Sequence, residues 1–566
     1  MAETSLHPSF PPARTPGLPP VPVRRPRSRL APFAAVIAAI VMMPIIAIFW
    51  LAITGGTDTW QHIFTNVVPR ATGRTVQLLF LTCALTGISG IVTAWLVASF
   101  EFPFRRMLSI CLVLPLAIPS YLAAYAFAEF LAFTGPAQTM LRGLFGFQTA
   151  RDYWFPDVRT LTGAAVVMSA VLYPYVYLSC RSMFLMQGRA AADVARTLGA
   201  GPLRVFLRVQ VPMARPAIMI GLTLVTMETL NDIGAVEYLG VQTLTFSIYD
   251  TWLNRGSLAG AAQIACVMLL FVAALLYLER SARRRQRFSS QKTTAMVADS
   301  FRRPLEGGRK WLATTACLVP VLIGFVIPVG VLGDFAMRRL ELFAQPRLLN
   351  ALWNSVMVSS SAAIACVLFA FALAYAARTD WTGRSGAIAR VAALGYGIPG
   401  TVLGIGVLFP LAAFDNALDG VLRANFGIST GLLLSGTGFA IVYASTVRFL
   451  TMAEGTVEAG FQKLSPHLDM ASRTLGRTSG QTLRRILLPN MRPAVLTAAL
   501  LVFIETLKEL SATILLRPFN FNTLATLVYE DASRAQVENA SVAALIIIAA
   551  GLVPVLLVSR SLDSKR

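Results

Sequence analysis

Twelve stretches of this chain are apolar for long enough to approach or cross a bilayer, and nothing else in the sequence restricts the fold as strongly. They run near 31–53, 75–98, 107–133, 161–184, 216–236, 257–278, 311–333, 354–377, 386–414, 428–450, 493–516 and 537–559. A hydrocarbon core of about 30 Å takes roughly 20 helical residues to cross. Each run is continuously apolar rather than alternating, which selects helices over barrel strands, since backbone N–H and C=O groups in lipid must be satisfied within the protein. With 55% apolar and only 14% charged residues, the chain lies outside the composition of ordinary soluble domains. The first stretch follows a Pro- and Arg-rich tail, residues 1–30, and at about 23 residues it is longer than a cleavable signal core, so it reads as a retained span.

A formal net charge of +21 would suit a nucleic-acid partner, but the placement of the charges gives a simpler reason. With the N-terminus taken as cytoplasmic, 36 of the 49 Lys and Arg fall in segments on that side, 12 in the opposite loops, and Lys508 within a helix. This is the positive-inside bias, and it places both termini in the cytoplasm of a multi-pass membrane protein with no nucleic-acid role. Trp60, Trp154, Trp252 and Trp353 fall in or beside the opposite loops, as an interfacial aromatic belt would have them. The six cysteines, Cys83, Cys111, Cys180, Cys266, Cys317 and Cys366, lie in or beside apolar segments without a C-x-x-C pair and read as small core residues. His7, His62 and His467 are scattered, so no metal site and no cofactor are expected.

A second constraint is internal repetition. Arg196-Thr197-Leu198-Gly199, Pro212 and Arg215-Pro216-Ala217 recur as Arg473-Thr474-Leu475-Gly476, Pro489 and Arg492-Pro493-Ala494, every pair at the same offset of 277 in the numbering. Each copy follows the fourth apolar stretch of its half. Ile118-Pro119 matches Ile398-Pro399 at an offset of 280, Glu228-Thr229-Leu230 matches Glu505-Thr506-Leu507 at 277, and Thr243-Leu244 matches Thr523-Leu524 at 280. The duplication therefore covers the whole membrane architecture. The expected organisation is a tail (1–30), a six-helix half (31–280), a cytoplasmic linker (281–310) and a second six-helix half (311–566). An even number of spans in the first half makes the two halves parallel, related by an axis along the membrane normal.

Within the repeated loop, about two helical turns end at Gly199 or Gly476. Glycine supplies the left-handed residue that ends one helix, and a second short amphipathic stretch runs to Pro212 or Pro489, where the next span is expected to begin. The outcome is a helix-turn-helix protruding from the membrane. Beyond it lie residues that a bilayer makes costly: Glu228 and Asp232 in the fifth stretch, Glu505, Lys508 and Glu509 in the eleventh. Glu228/Asp232 and Glu505/Glu509 are i,i+4 pairs, which puts both carboxylates of a pair on one helix face. They read either as lining of a translocation path or as structural pairing, with Lys508 neutralising Glu505 at i,i+3. Pro115, Pro119 and Pro399 are expected to bend the third and ninth helices, as gates or for packing.

These motifs resemble those of the integral membrane permeases of ABC importers, whose cytoplasmic signature runs Glu-Ala-Ala, a Gly, and later Leu-Pro. Here it stands as Asp193-Val194-Ala195-Arg196-Thr197-Leu198-Gly199 leading to Val211-Pro212, and as Asp469-Met470-Ala471-Ser472-Arg473-Thr474-Leu475-Gly476 leading to Leu488-Pro489. The acidic residue departs from the pattern: Asp193 replaces Glu, and in the second copy Met470 takes the position with Asp469 one residue earlier. The resemblance covers nearly the whole chain. It implies an all-α type I importer permease fold of twelve helices, and it implies that the loop residues Asp193, Ala195, Arg196, Leu198, Gly199, Pro212, Asp469, Ala471, Arg473, Leu475, Gly476 and Pro489 dock ATPase subunits. No G-x-x-x-x-G-K-[ST] phosphate loop occurs in the chain. The resemblance thus implies two separate ATP-binding cassette subunits, one per loop, and a permease that is not itself an enzyme. Glu228 to Ala235, Glu505 to Ala512 and Arg517-Pro518-Phe519 are similar to the ferric-iron subgroup, which implies a periplasmic binding protein delivering Fe³⁺. Thiamine, phosphonate and polyamine importers have similar permeases. From another class, an ion-gradient-driven secondary transporter could share twelve spans in two parallel halves, and a membrane scaffold is disfavoured by the intramembrane carboxylates.

Overall fold

A computed structural model describes residues 31–186, 194–195, 197–284, 302–380, 383–465 and 467–563. Helix dominates. Among the described residues ten helices are long and apolar enough to cross a membrane, or eleven if one sharply bent pair counts as a single span. In chain order the first half contains α1 (Ala31–Thr54), α2 (Trp60–Ser99), the bent pair α3 (Arg105–Ala117) and α4 (Ser120–Leu131), the short α5 (Pro136–Phe145), α6 (Leu161–Met186), α7 (Pro202–Asn231), α8 (Gly234–Tyr238), α9 (Leu244–Tyr249) and α10 (Leu258–Arg284). The second half contains α11 (Gly308–Arg338), α12 (Pro346–Thr379), α13 (Arg384–Ala392), α14 (Gly400–Phe426), α15 (Phe439–Gln462), α16 (His467–Thr474), α17 (Gly480–Leu507), α18 (Thr513–Leu516), α19 (Leu524–Ser533) and α20 (Val537–Asp563).

The twelve-span expectation is thus met by ten or eleven helices: the bent pair stands for the stretch at 107–133, and α15, for the stretch at 428–450, is not among them. The stretch expected at 428–450 is non-helical up to Gly438, because two carboxylates at the end of α14 hold that segment as a loop. Asp419 accepts from the backbone N–H groups of Thr430 (2.7 Å) and Gly431 (3.1 Å). Asp415 accepts from those of Leu434 (3.0 Å) and Ser435 (2.8 Å). Side chains that satisfy backbone donors this way compete directly with helix.

The prolines do more than bend. Ile118 and Ile398 are extended (φ −99°, ψ 114° and φ −91°, ψ 120°), Pro119 and Pro399 follow, and helices restart at Ser120 and Gly400. A residue before proline is pushed out of the helical region, so both stretches break. Between Ala117 and Ser120 the chain turns by 97°.

The halves are interleaved. One apolar core joins α2, α4 and α6 to residues of α11 and α20, including Cys317, Val321, Ala543 and Ile547. The other joins α12, α14, α15 and α17 to residues of α1 and α10, including Ile37, Ile48, Ile264 and Met268. Outer helices of each half therefore bury their faces against the other half; the Tyr443 hydroxyl, for example, donates to the Ile40 carbonyl at 2.5 Å. Equivalent residues of the two halves meet: the Tyr249 and Tyr529 hydroxyls, 280 positions apart, lie 3.0 Å from each other. Before α11, Arg303–Pro304 pairs as a short parallel strand with Phe100–Glu101, tying the end of the linker to the α2–α3 turn. The six cysteines are free thiols.

Candidate functional site

The two repeated loops share one backbone design. Gly199 has φ +83° and Gly476 φ +78°. In both copies the residue after this glycine donates backwards over five positions, Ala200 N to Ala195 O (3.1 Å) and Arg477 N to Ser472 O (3.2 Å). That is a Schellman closure with glycine in the left-handed position, and a Cβ at either glycine would meet no neighbour within 4 Å, so the backbone angle alone calls for glycine. Leu198 and Leu475, just before the glycines, are 82% and 80% exposed. Ala195 is half-buried and Ala471 exposed. Asp193 and Arg196 lie outside the described residues, as do the side chains of Asp469 and Arg473.

The second short stretch of each loop does not stop at the proline. It runs on into the span, giving the continuous helices α7 and α17. A π-turn precedes each proline, closed by Val211 N to Phe206 O and by Leu488 N to Leu483 O. Pro212 and Pro489 follow that wider turn, where a missing N–H and the ring are tolerated.

At their far ends α7 and α17 stop early, at Asn231 and Leu507. The expected i,i+4 face is therefore broken: Asp232, Lys508 and Glu509 lie past the helices, and the two carboxylates of each pair take different roles. Asp232 accepts from the Ala235 N–H (2.7 Å) and from the Ser120 hydroxyl. Glu509 accepts from the N–H groups of Ala512 (2.9 Å) and Thr513 (3.0 Å) and from the Thr513 hydroxyl (2.7 Å). Both satisfy donors that an interrupted membrane helix leaves open. Glu509 also pairs with Arg448 at 3.0 Å, the two side chains being 3% and 8% exposed.

The remaining carboxylates face a shared space. The Tyr396 hydroxyl donates to Glu228 at 3.1 Å across the halves, and Lys508 pairs with Glu505 at 2.8 Å, the i,i+3 contact expected from the sequence. Glu228, Asp232, Glu505, Lys508, Glu509 and Arg448 all line one cavity of about 70 Å³, room for several waters or a small ion. Cross-half hydrogen bonds frame it: Gly400 N donates to the Asn231 side-chain oxygen (2.7 Å), and the Ser511 hydroxyl to the Asn231 carbonyl (2.6 Å). Gly234 lets the backbone approach here, since a Cβ would lie 2.7 Å from both Tyr121 and Leu510. Among the described residues no group of three or more His, Cys, Asp and Glu is arranged to hold a metal ion.

Sequence reasoning missed Arg448, Tyr396, Asn231 and Ser120. The charge count puts Arg448 with a cytoplasmic loop, yet it sits in the middle of α15 at 6% exposure; a lone charge at the end of an apolar stretch was the available signal.

Residues 90–287 and again 367–566 match the family described as binding-protein-dependent transport system inner membrane component. The chain belongs to this family of permeases. The starts of its two matches, 90 and 367, stand at the same offset as the repeated loops. The permease is 24% identical over 499 residues to the Fe(3+)-transport system permease protein FbpB 2 of Haemophilus influenzae, covering 85% of this chain and 88% of that one. It is 22% identical over 474 residues to the ferric transport system permease FbpB 1 of the same organism, covering 78% and 70%. The sulfate transport system permease protein CysT of Escherichia coli is 26% identical over 204 residues, 36% of this permease and 70% of CysT. Among solved structures, a bacterial alginate ABC transporter in complex with its periplasmic protein aligns with a TM-score of 0.35 at 19% identity, over 44% of this permease and 93% of that chain.

Proposed function

We propose that the chain is the membrane-spanning subunit of an ATP-driven importer that carries ferric iron inward from a periplasmic binding protein. The observation that carries this reading is the likeness, over most of both chains, to Fe(3+)-transport permeases. The cavity agrees in charge: four carboxylates against two cations, Arg448 and Lys508, leave it formally at −2. Carboxylate oxygens are hard donors suited to a hard cation, whereas sulfate would enter against that charge. The similarity to the half-length sulfate permeases therefore supports the fold more than the cargo.

In this reading the loops at Gly199 and Gly476 face the cytoplasm, on the positively charged side. Each presents its exposed leucine, Leu198 or Leu475, to one of two ATPase subunits, with Asp193, Arg196, Pro212, Asp469, Arg473 and Pro489 in or beside the docking element. The permease hydrolyses nothing itself. Closure of the ATPases pulls on α7 and α17, and because each loop is continuous with its span, the displacement reaches the broken ends at Asn231 and Leu507 directly.

The reading is tested by reconstituting the permease in proteoliposomes with its ATPase and its iron-loaded binding protein and following radiolabelled Fe³⁺. ATP-dependent iron uptake, lost together with ATPase co-purification when Gly199 and Gly476 are both changed to valine, is the expected result. Uptake by the chain alone under an ion gradient, or ATP-dependent uptake of sulfate in place of iron, would overturn it.

A further inference from the structure

Between the cavity and the end of the bundle opposite the repeated loops runs a line of tyrosines that the reading above leaves unused. Tyr121 lines the cavity beside Asp232 and Glu509. One turn further along α4 stands Tyr125, its ring centroid 5.9 Å from that of Tyr121. Tyr125 in turn meets Tyr238 of α8 edge-on at 4.6 Å. Next to Tyr238 is Glu237, whose carboxylate accepts from the Tyr529 hydroxyl at 2.5 Å. With that proton committed, the Tyr249 hydroxyl, 3.0 Å away, donates to the Tyr529 oxygen. The Tyr249–Tyr529 contact joins equivalent positions of the two halves, at the seam between them.

Two of these phenols are costly as they stand. Tyr121 and Tyr125 are 4% and 1% exposed, and neither hydroxyl has a hydrogen-bond partner within the protein. A buried hydroxyl without a partner destabilises a fold relative to phenylalanine, which has the same shape and no polar atom to desolvate. Packing therefore gives no reason for oxygen at either position. Both side chains belong to the line of rings that connects the Glu237–Tyr529–Tyr249 cluster to the carboxylate cavity.

We propose that Tyr121 and Tyr125, together with Glu237 and the Tyr249–Tyr529 pair, form a file of hard oxygen donors through which the cation cargo passes from the binding-protein side to Glu228 and Glu505. The proposal rests on the importer reading and adds the route and its specificity-determining residues. In the conformation described, the Tyr249–Tyr529 contact shuts the far end of the file. Parting the halves there exposes Glu237 first, and the phenol oxygens of Tyr125 and Tyr121 then offer lone pairs to the cation or to its water shell in place of bulk water.

The experiment uses Tyr121→Phe and Tyr125→Phe in the full permease assembled with its ATPase and binding protein, with radiolabelled Fe³⁺ as probe and the thermal midpoint of each variant measured alongside. Either substitution is expected to lower iron uptake by about tenfold, the factor for a lost hydrogen-bond-sized contact in a desolvated site, while the midpoint stays level or rises. Iron uptake by both variants at the unsubstituted rate overturns the file. So does a loss of uptake that tracks a fall in the midpoint, since that assigns the hydroxyls to packing. If the unsubstituted assembly itself moves no iron, the importer reading fails, and the file falls with it.

Discussion

The two halves of this permease keep the same backbone devices and differ in where they put charge. Both break a span after an Ile-Pro pair, both close the repeated loop with a left-handed glycine, and both stop a later span so that a carboxylate, Asp232 or Glu509, can satisfy the exposed N–H groups beyond it. At the cavity the likeness ends. At the offset of the repeated loops, Lys508 occupies the position of Asn231, and Arg448 that of Val171. The second half thus supplies both cations, and the first half supplies acids whose side-chain partners are hydroxyls: Ser120 for Asp232, Tyr396 for Glu228. Duplication has preserved what an interrupted membrane helix requires and left the electrostatics free to diverge.

The sharpest way to break this comparison is to remove the two capping carboxylates. Glu509→Ala leaves Arg448 buried without its ion partner and also strips three hydrogen bonds, an expected cost of about 3–5 kcal/mol. Asp232→Ala leaves only neutral donors unsatisfied, about 1–3 kcal/mol. The thermal midpoint and the monodisperse yield of the purified full chain should fall in that order. Equal losses would mean that the Arg448 pair adds nothing to the cap.

A second test contrasts the acids that face the cavity. Glu228→Gln keeps the Tyr396 contact and abandons no cation, so stability should hold while iron uptake falls by about tenfold, the scale of one lost charged contact. Glu505→Gln instead removes the direct ion-pair partner of Lys508, and the expected result is a lower thermal midpoint as well as reduced uptake. The reverse pattern, instability in the first variant alone, would make Glu228 the structural acid.

Much of this plan was legible in the sequence, and the exceptions have physical causes. The helical class, the duplication, the left-handed glycines and the Lys508–Glu505 pair follow from local rules that a linear reading can apply. The ends of α7 and α17 were not visible, because nothing in Glu-Thr-Leu-Asn-Asp or Glu-Thr-Leu-Lys-Glu forbids helix; residues distant in the chain hold the segments beyond them, Ser120 and Gly400 past α7 and Arg448 past α17. Likewise the loop at 428–438 is apolar enough to pass for membrane, and only the side chains of Asp415 and Asp419, folded back onto its amides, settle its form. Arg448 was misplaced because a charge near the end of an apolar run reads as a loop residue unless its partner, here Glu509, is known.

The loops offer a smaller and more symmetrical contrast. Gly199→Ala and Gly476→Ala each force a side chain into a left-handed backbone without any steric neighbour, which should cost about 1 kcal/mol in either copy. Because the two angles are nearly the same, the losses in loop stability, read as protease sensitivity of the full chain, should match. An unequal pair would show that one loop is held by contacts the other lacks.

The smallest effect tests whether the chemistry inside the loops is interchangeable. In the second copy the hydroxyls of Ser472 and Thr482 meet at 2.8 Å in a buried contact between α16 and the start of α17. The equivalent positions of the first copy hold Ala195 and Val205, the latter fully buried. Ser472→Ala alone strands the Thr482 hydroxyl and should cost about 1 kcal/mol. Adding Thr482→Val removes the stranded group and reproduces the apolar pair of the first copy, so the double variant should return to within about 0.5 kcal/mol of the unsubstituted permease. Such recovery in the thermal midpoint would establish that the two loops differ in side-chain chemistry around a common backbone. A double variant weaker than the single would mean instead that the second loop needs its hydroxyl pair to keep that shape.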